Sequence, residues 1–195
     1  MSVTTGVPAT SDPAARARRR RNLVLAAMVA VVLVAAGAMA WRWWTHPSAF
    51  SGLGDSYSSD PLPLSGAALS TTVIFPQASG SPEQVTIDGL DATFSSNTAK
   101  ADATFWLCHM AGGEEPIGSV HDPGSVCSTI EAFKPPMRFD YGVAPHSDYL
   151  FVTLTPTRRG VAHLKAVDVD YQRSADHFYQ QGTQTIRVDR TITVR

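Results

Sequence analysis

The stretch Gln184-Thr185-Ile186-Arg187-Val188-Asp189-Arg190-Thr191-Ile192-Thr193-Val194 decides the fold. Its residues alternate, with Gln184, Ile186, Val188, Arg190, Ile192 and Val194 on one face and Thr185, Arg187, Asp189, Thr191 and Thr193 on the other. A period of two is the signature of a half-buried strand, because successive Cβ atoms point to opposite sides of the pleat. The face that turns inward is apolar except at Gln184 and Arg190, and Arg190 marks the strand's emergence from the core, a bulge or an edge.

Working back from this strand, short runs rich in Val, Ile, Thr and aromatic residues recur between Gly, Pro, Asn and Asp clusters, and no 3.6-residue period persists beyond a turn or two. Strands are predicted near 68–75, 83–87, 90–95, 101–109, 129–133, 137–141, 149–155, 161–171 and 184–194. So many short strands in about 130 residues predict an all-β, two-sheet β-sandwich over 67–195, with a closed barrel as the alternative. Its facing surfaces would bury Phe75, Ile87, Phe94, Phe105, Leu107, Phe151, Leu154, Val167, Val169 and Ile186. The carboxyl-terminal third runs from Tyr149 through Thr155-Pro156-Thr157-Arg158-Arg159-Gly160, then Val167-Asp168-Val169-Asp170-Tyr171, to the last strand. It resembles the closing strands of the immunoglobulin-like or fibronectin-like domains of bacterial single-pass membrane proteins. There, a strand, Thr-Pro-x-x-x-Gly turn, strand hairpin completes the sandwich, so the resemblance implies an immunoglobulin-like fold and no particular activity. The Trp and paired inter-sheet Cys of antibody domains are not reproduced in order, since Trp106 precedes Cys108 by two.

Ahead of the domain, Leu23 to Ala40 is eighteen residues without charge, entered through Arg18-Arg19-Arg20-Arg21 and left through Trp41-Arg42-Trp43-Trp44. A helix of that length matches the roughly 30 Å hydrocarbon core of a bilayer. The segment 23–44 therefore reads as a transmembrane signal anchor, with the arginines and Trp41, Trp43 and Trp44 at the two interfaces. Arginine excess on the amino side predicts a cytoplasmic 1–22, a disordered basic tail, and an extracytoplasmic carboxyl domain. Ala38-Met39-Ala40 offers signal peptidase a cleavage option, and Arg20-Arg21-Asn22-Leu23-Val24 resembles a twin-arginine export signal; either route exports the domain. No lipobox Cys or sorting motif accompanies the segment. Residues 45–66, rich in Ser, Gly and Pro, read as a flexible stalk reaching up to about 70 Å when extended.

Five arginines against Asp12 give the tail a charge of +4, leaving eleven basic against sixteen acidic residues from 41 onward, or −5. A mildly acidic domain lacks the basic face that nucleic acid requires. Thirteen Arg to three Lys fits a GC-rich bacterial genome.

Cys108 and Cys127, the only cysteines, are expected to form a disulfide once exported, closing a long loop that is either a stapled crossover between sheets or a rigid recognition loop. Candidate contacts with an extracytoplasmic protein partner are His109, Glu114, Glu115 and His121 on that loop, and Phe178 and Tyr179 in the connection 172–182. No catalytic, cofactor or metal residues are assigned. His109 and His121 motivate an alternative metal-handling or sensing role, but no blue-copper, His-Glu-x-x-His or Cys-x-x-Cys spacing occurs. Gly-x-Ser-x-Gly is absent, and His121-Asp122 and His146-x-Asp148 are the pairs that a third reading, a secreted hydrolase, would use. The function read from the sequence is thus a membrane-anchored, non-catalytic binding or assembly module.

Overall fold

The computed structural model describes residues 13–45, 48–50, 57–65, 68–75, 83–110, 119–125, 127–142, 148–174, 176 and 178–195. They fall into two compact units, Met1–Trp43 and Trp44–Arg195.

The first unit holds one helix, α1 (Pro13–Thr45). Its apolar stretch, Arg18–Thr45, has a mean hydropathy of 2.7 and none of it is buried. It starts earlier than the sequence reading placed it, so residues 13–22, expected to be disordered, are helical. Arginine is a good helix former, and Pro13 takes the first helical position, where a missing N–H costs nothing. Residues 1–12 lie outside the described residues.

The second unit is a sandwich of two five-stranded sheets. The strands are β1 (Tyr57–Ser58), β2 (Leu69–Ile74), β3 (Glu83–Asn97), β4 (Ala101–Met110), β5 (Ser119–Val120), β6 (Cys127–Ala132), β7 (Met137–Tyr141), β8 (Asp148–Pro156), β9 (Gly160–Arg173) and β10 (Gln181–Val194). One sheet runs β1-β10-β9-β3-β7 and the other β5-β2-β8-β4-β6, antiparallel throughout except for the short parallel pairing of β1 with β10.

The core lies between the sheets. Ile87, Leu107, Leu154, Val167, Val169 and Ile186 are buried there as expected, and Phe94 and Phe105 pack against it half-buried. Phe75 is half-buried outside these clusters, and Phe151, fully buried, faces the other way. It joins Tyr149, Trp106, Cys108, Val120 and Cys127 in a second cluster on the outer side of the β8–β4 sheet. Arg190 follows the bulge between Arg187 and Arg190 and is buried, its Nη2 donating to Thr71 Oγ1 on β2 at 2.8 Å. That bond ties the two sheets at the β10–β2 side.

Two of the predicted strand connections change. The predicted strands 83–87 and 90–95 are one 15-residue strand, β3, with an irregularity between Ile87 and Gly89 against β9. The Thr155–Gly160 turn is no hairpin: β8 and β9 belong to different sheets, so the turn is an arch between them. Gly160, at φ 145°, is required there because a Cβ would lie 2.9 Å from the Ala99 amide nitrogen, on the β3–β4 turn.

The described residues of the expected stalk, 48–50 and 57–65, are also tied to the domain. Phe50 is buried, its ring edge-on to Tyr171 at 4.8 Å and to Tyr141 at 5.2 Å. Gln184 brackets its backbone, accepting from the Phe50 amide at 3.1 Å and donating to its carbonyl at 2.7 Å. Residues 57–62 run beside β10 through bonds such as Leu62 N to Thr193 O at 2.9 Å. These ties are made by backbone bonds, by the buried Phe50 ring and by Ala49 and Leu62 packed against the core, which a Ser/Gly/Pro-rich composition conceals.

Candidate functional site

The β9–β10 hairpin holds two of the sequence-selected residues. Its base is fixed by Arg173, whose Nε and Nη2 donate to the Glu83 carboxylate oxygens at 2.5 and 2.7 Å, while Nη1 donates to Gln180 Oε1 at 3.2 Å. The Arg173 amide also donates to the Gln180 carbonyl at 2.7 Å. A fork-on-carboxylate pair that is mostly buried is directional as well as strong. Beyond it, Phe178 and Tyr179 stand 67% and 69% exposed, and both adopt left-handed backbone, at φ 56° and 51°. Left-handed conformation in bulky residues costs on the order of 1 kcal/mol each, and neither ring recovers that by burial. Both rings are thus largely exposed beyond the Arg173–Glu83 pair, where large aromatic surface is of the kind that interface anchors use.

The other candidates are scattered. Glu114 and Glu115 lie outside the described residues, as does His146. His121 follows β5, donating from Nδ1 to the Ala68 carbonyl at 3.2 Å, and Asp122 turns to the Gly124 amide at 2.9 Å, capping a short 3-10 turn at Pro123–Ser125. His109 sits on β4, and His121 beyond β5 at the opposite edge of the same sheet, so the structure does not bring them together. Among the described residues, no group of three His, Cys, Asp or Glu converges as a metal would need. Arg18, Arg19, Arg20, Arg21, Trp41, Trp43 and Trp44 are exposed along α1.

Cys108 and Cys127 are bonded, their sulfurs 2.06 Å apart. The bond staples β4 to β6 within one sheet, not one sheet to the other. Since β5 and β6 lie at opposite edges of that sheet, the connection 121–126 must return across four strand spacings, about 19 Å. Val120 and Cys127, at its two ends, pack on the outer cluster around Tyr149 and Phe151.

Two constellations are visible only in the structure. Where β6 and β7 form the open side of the sandwich, a groove of about 500 Å³ is lined by Leu107, His109, Glu131, Lys134, Met137, Arg138, Asp140 and Asp148, among others. His109 Nδ1 pairs with the Asp148 carboxylate, whose Oδ2 accepts the Asp140 backbone amide at 2.8 Å. Burial pushes the Asp148 carboxyl above its ordinary value, and the Asp140 amide and His109 pull it back in part. On the outer face of the other sheet, Ser95 Oγ lies 2.6 Å from His163 Nδ1, and His163 Nε2 lies 2.7 Å from Asp189 Oδ1. With Nε2 donating to the carboxylate, the neutral ring's Nδ1 accepts the Ser95 hydroxyl proton. Arg187, then His163, hold the Asp189 carboxyl below its ordinary value. Both strands flanking His163 carry bulges, at Phe94/Ser96 and Arg187/Arg190. No sequence spacing announces either group, because bulges and register decide which side chains meet.

Comparison with family models, with curated proteins and with solved structures found no match.

Proposed function

We propose that this chain is a bacterial single-pass membrane protein, amino terminus inside, whose immunoglobulin-like sandwich acts outside the cytoplasm as a non-catalytic binding or assembly module for a protein partner. The observation that carries the reading is the Phe178–Tyr179 pair, exposed on left-handed backbone above the Arg173–Glu83 lock. Aromatic side chains, with only two rotatable χ angles, lose little entropy on association, and the hairpin beneath the pair offers polar groups for a rim. Support for the anchor comes from the uncharged length of α1 and its flanking arginines and tryptophans; support for export comes from the Cys108–Cys127 bond, which persists in oxidising compartments. The test of orientation is labelling of Lys165→Cys in intact cells by a membrane-impermeant maleimide. Labelling before lysis is expected, and labelling only after lysis overturns the reading.

A second reading, a secreted hydrolase, is favoured by the Ser95–His163–Asp189 chain, which has the nucleophile, base and orienting acid of acyl transfer. Against it, these residues lie on an exposed sheet face and none of them lines the groove. The proposed function expects no labelling of Ser95 by a fluorophosphonate probe; stoichiometric labelling would establish the hydrolase instead.

A further inference from the structure

β7 is the edge of its sheet, pairing with β3 on one side only among the described residues. The Asp140 amide donates to Asp148 on β8, in the opposite sheet, so this N–H points away from β3. By the alternation of an antiparallel ladder, Arg138, two residues earlier, presents its N–H and C=O to the same free side. An exposed row of this kind is a template for another strand, and proteins guard such edges with charges.

We propose that the free edge of β7 is a pairing surface for β7 of a second copy of this chain, held closed by the Asp148 carboxylate.

The argument for that occupant is self-complementarity. Antiparallel pairing of two copies about Phe139 sets Arg138 opposite the second copy's Asp140 and Asp140 opposite its Arg138. Both are outward-facing positions, so each couple forms a hydrogen-bonded pair with opposite charges adjacent. The two-fold axis through Phe139 makes the contact isologous and therefore closed. In the single chain the two side chains already meet through Gln84, which accepts from Arg138 and donates to Asp140 Oδ1 at 2.7 Å. Asp148 occupies the place of an incoming carbonyl at Asp140, blocking one of two donors on each edge. His109 on β4 holds that carboxylate, and Glu131 of β6, Lys134 of the β6–β7 connection, Arg138 and Asp140 line the same groove.

The test uses full-length chains in detergent, with Asp148→Ala to open the edge. One preparation also carries Arg138→Cys and another Asp140→Cys, and the two are mixed under mild oxidation. A disulfide joining the two preparations is expected, at yields above those of either preparation alone, and it should be lost when Asp148 is retained. In a cysteine-free edge with Asp148→Ala, Asp140→Arg should abolish the dimer and Arg138→Asp with Asp140→Arg should restore it. Should Asp148→Ala lose its β-type circular dichroism spectrum, Asp148→Leu, which keeps the side chain's size but offers the Asp140 amide no acceptor, replaces it in every arm. Absence of the mixed disulfide in a folded variant, or equal yields with and without Asp148, overturns the proposal. This outcome is independent of what the hairpin tip binds.

Discussion

The Tyr171 hydroxyl accepts a 2.9 Å hydrogen bond from the backbone amide of Ala49, 122 residues earlier in the chain. With Gln184 holding Phe50 beside it, this bond makes the segment following α1 a structural part of the sandwich. Burial raises the Tyr171 hydroxyl pKa, so the group stays a neutral partner at physiological pH. Tyr171→Phe leaves the Ala49 amide without this acceptor and is expected to destabilise the domain by about 1 kcal/mol. Phe50→Ala, which empties a ring site among Phe139, Tyr141 and Tyr171, is expected to cost about 3–5 kcal/mol. Chemical denaturation ranks the two, and faster hydrogen exchange at residues 49–50 locates the effect. Unchanged stability in Phe50→Ala would mean that the segment is undocked.

The disulfide, which joins cysteines 19 residues apart in sequence, lies in the outer cluster. Replacing both Cys108 and Cys127 with Ser should lower unfolding free energy by about 3 kcal/mol in the chain-entropy description. Alkylation of both cysteines in non-reduced, membrane-derived protein would contradict the bonded pair.

Two carboxyls give opposite pH slopes. Asp148 is held above 3.8, first by burial, so the folded chain keeps this proton to a higher pH than the unfolded chain does. Its effect is a loss of stability as pH rises through the interval just above 3.8. Asp189 is held below 3.8, chiefly by Arg187 and then by His163, so its contribution is present above that value and disappears as pH falls through its lowered pKa. Asp148→Asn should remove the first slope and Asp189→Asn the second, in urea midpoints measured across the acid range at low protein concentration. A variant that leaves its slope intact removes that carboxyl from the account.

The hairpin tip should be improvable in stability. Asn tolerates left-handed backbone better than Tyr, so Tyr179→Asn is expected to raise unfolding free energy by about 0.5–1 kcal/mol. A fall of that size in the thermal or urea midpoint would show that the ring, not the strain, dominates at this position.

What could be read in advance follows from what periodicity encodes. The alternation of 184–194 revealed β10 and its buried face because each residue reports its own environment. Arg190 broke that pattern and did mark a bulge, though it sits inside the core through Thr71 rather than at an exit. β1 and β5 are two residues each, held by backbone pairing that leaves no mark on side-chain choice. Phe50 lies within the Ser-, Gly- and Pro-rich segment read as a stalk, and its burial could not be read there because its partners Tyr141, Tyr171 and Gln184 lie about a hundred residues away. The Asp148–Asp140 tie and the Ser95–His163–Asp189 chain needed the register across strands, which bulges in β3 and β10 shift locally. Phe178 and Tyr179 were recognisable as aromatics beside a turn, but their exposure depends on a left-handed backbone that no residue type there predicts.

The central claim is that Phe178 and Tyr179 form the contact surface of a membrane-tethered recognition domain. The most direct measurement places a photo-cross-linking amino acid at position 179, and separately at exposed position 187, of the full-length chain in its native membrane. The account predicts one discrete protein adduct from position 179, abolished by Phe178→Ala in a folded chain, and none from position 187. Matching adducts from both positions, or an adduct at 179 that survives Phe178→Ala, would contradict it.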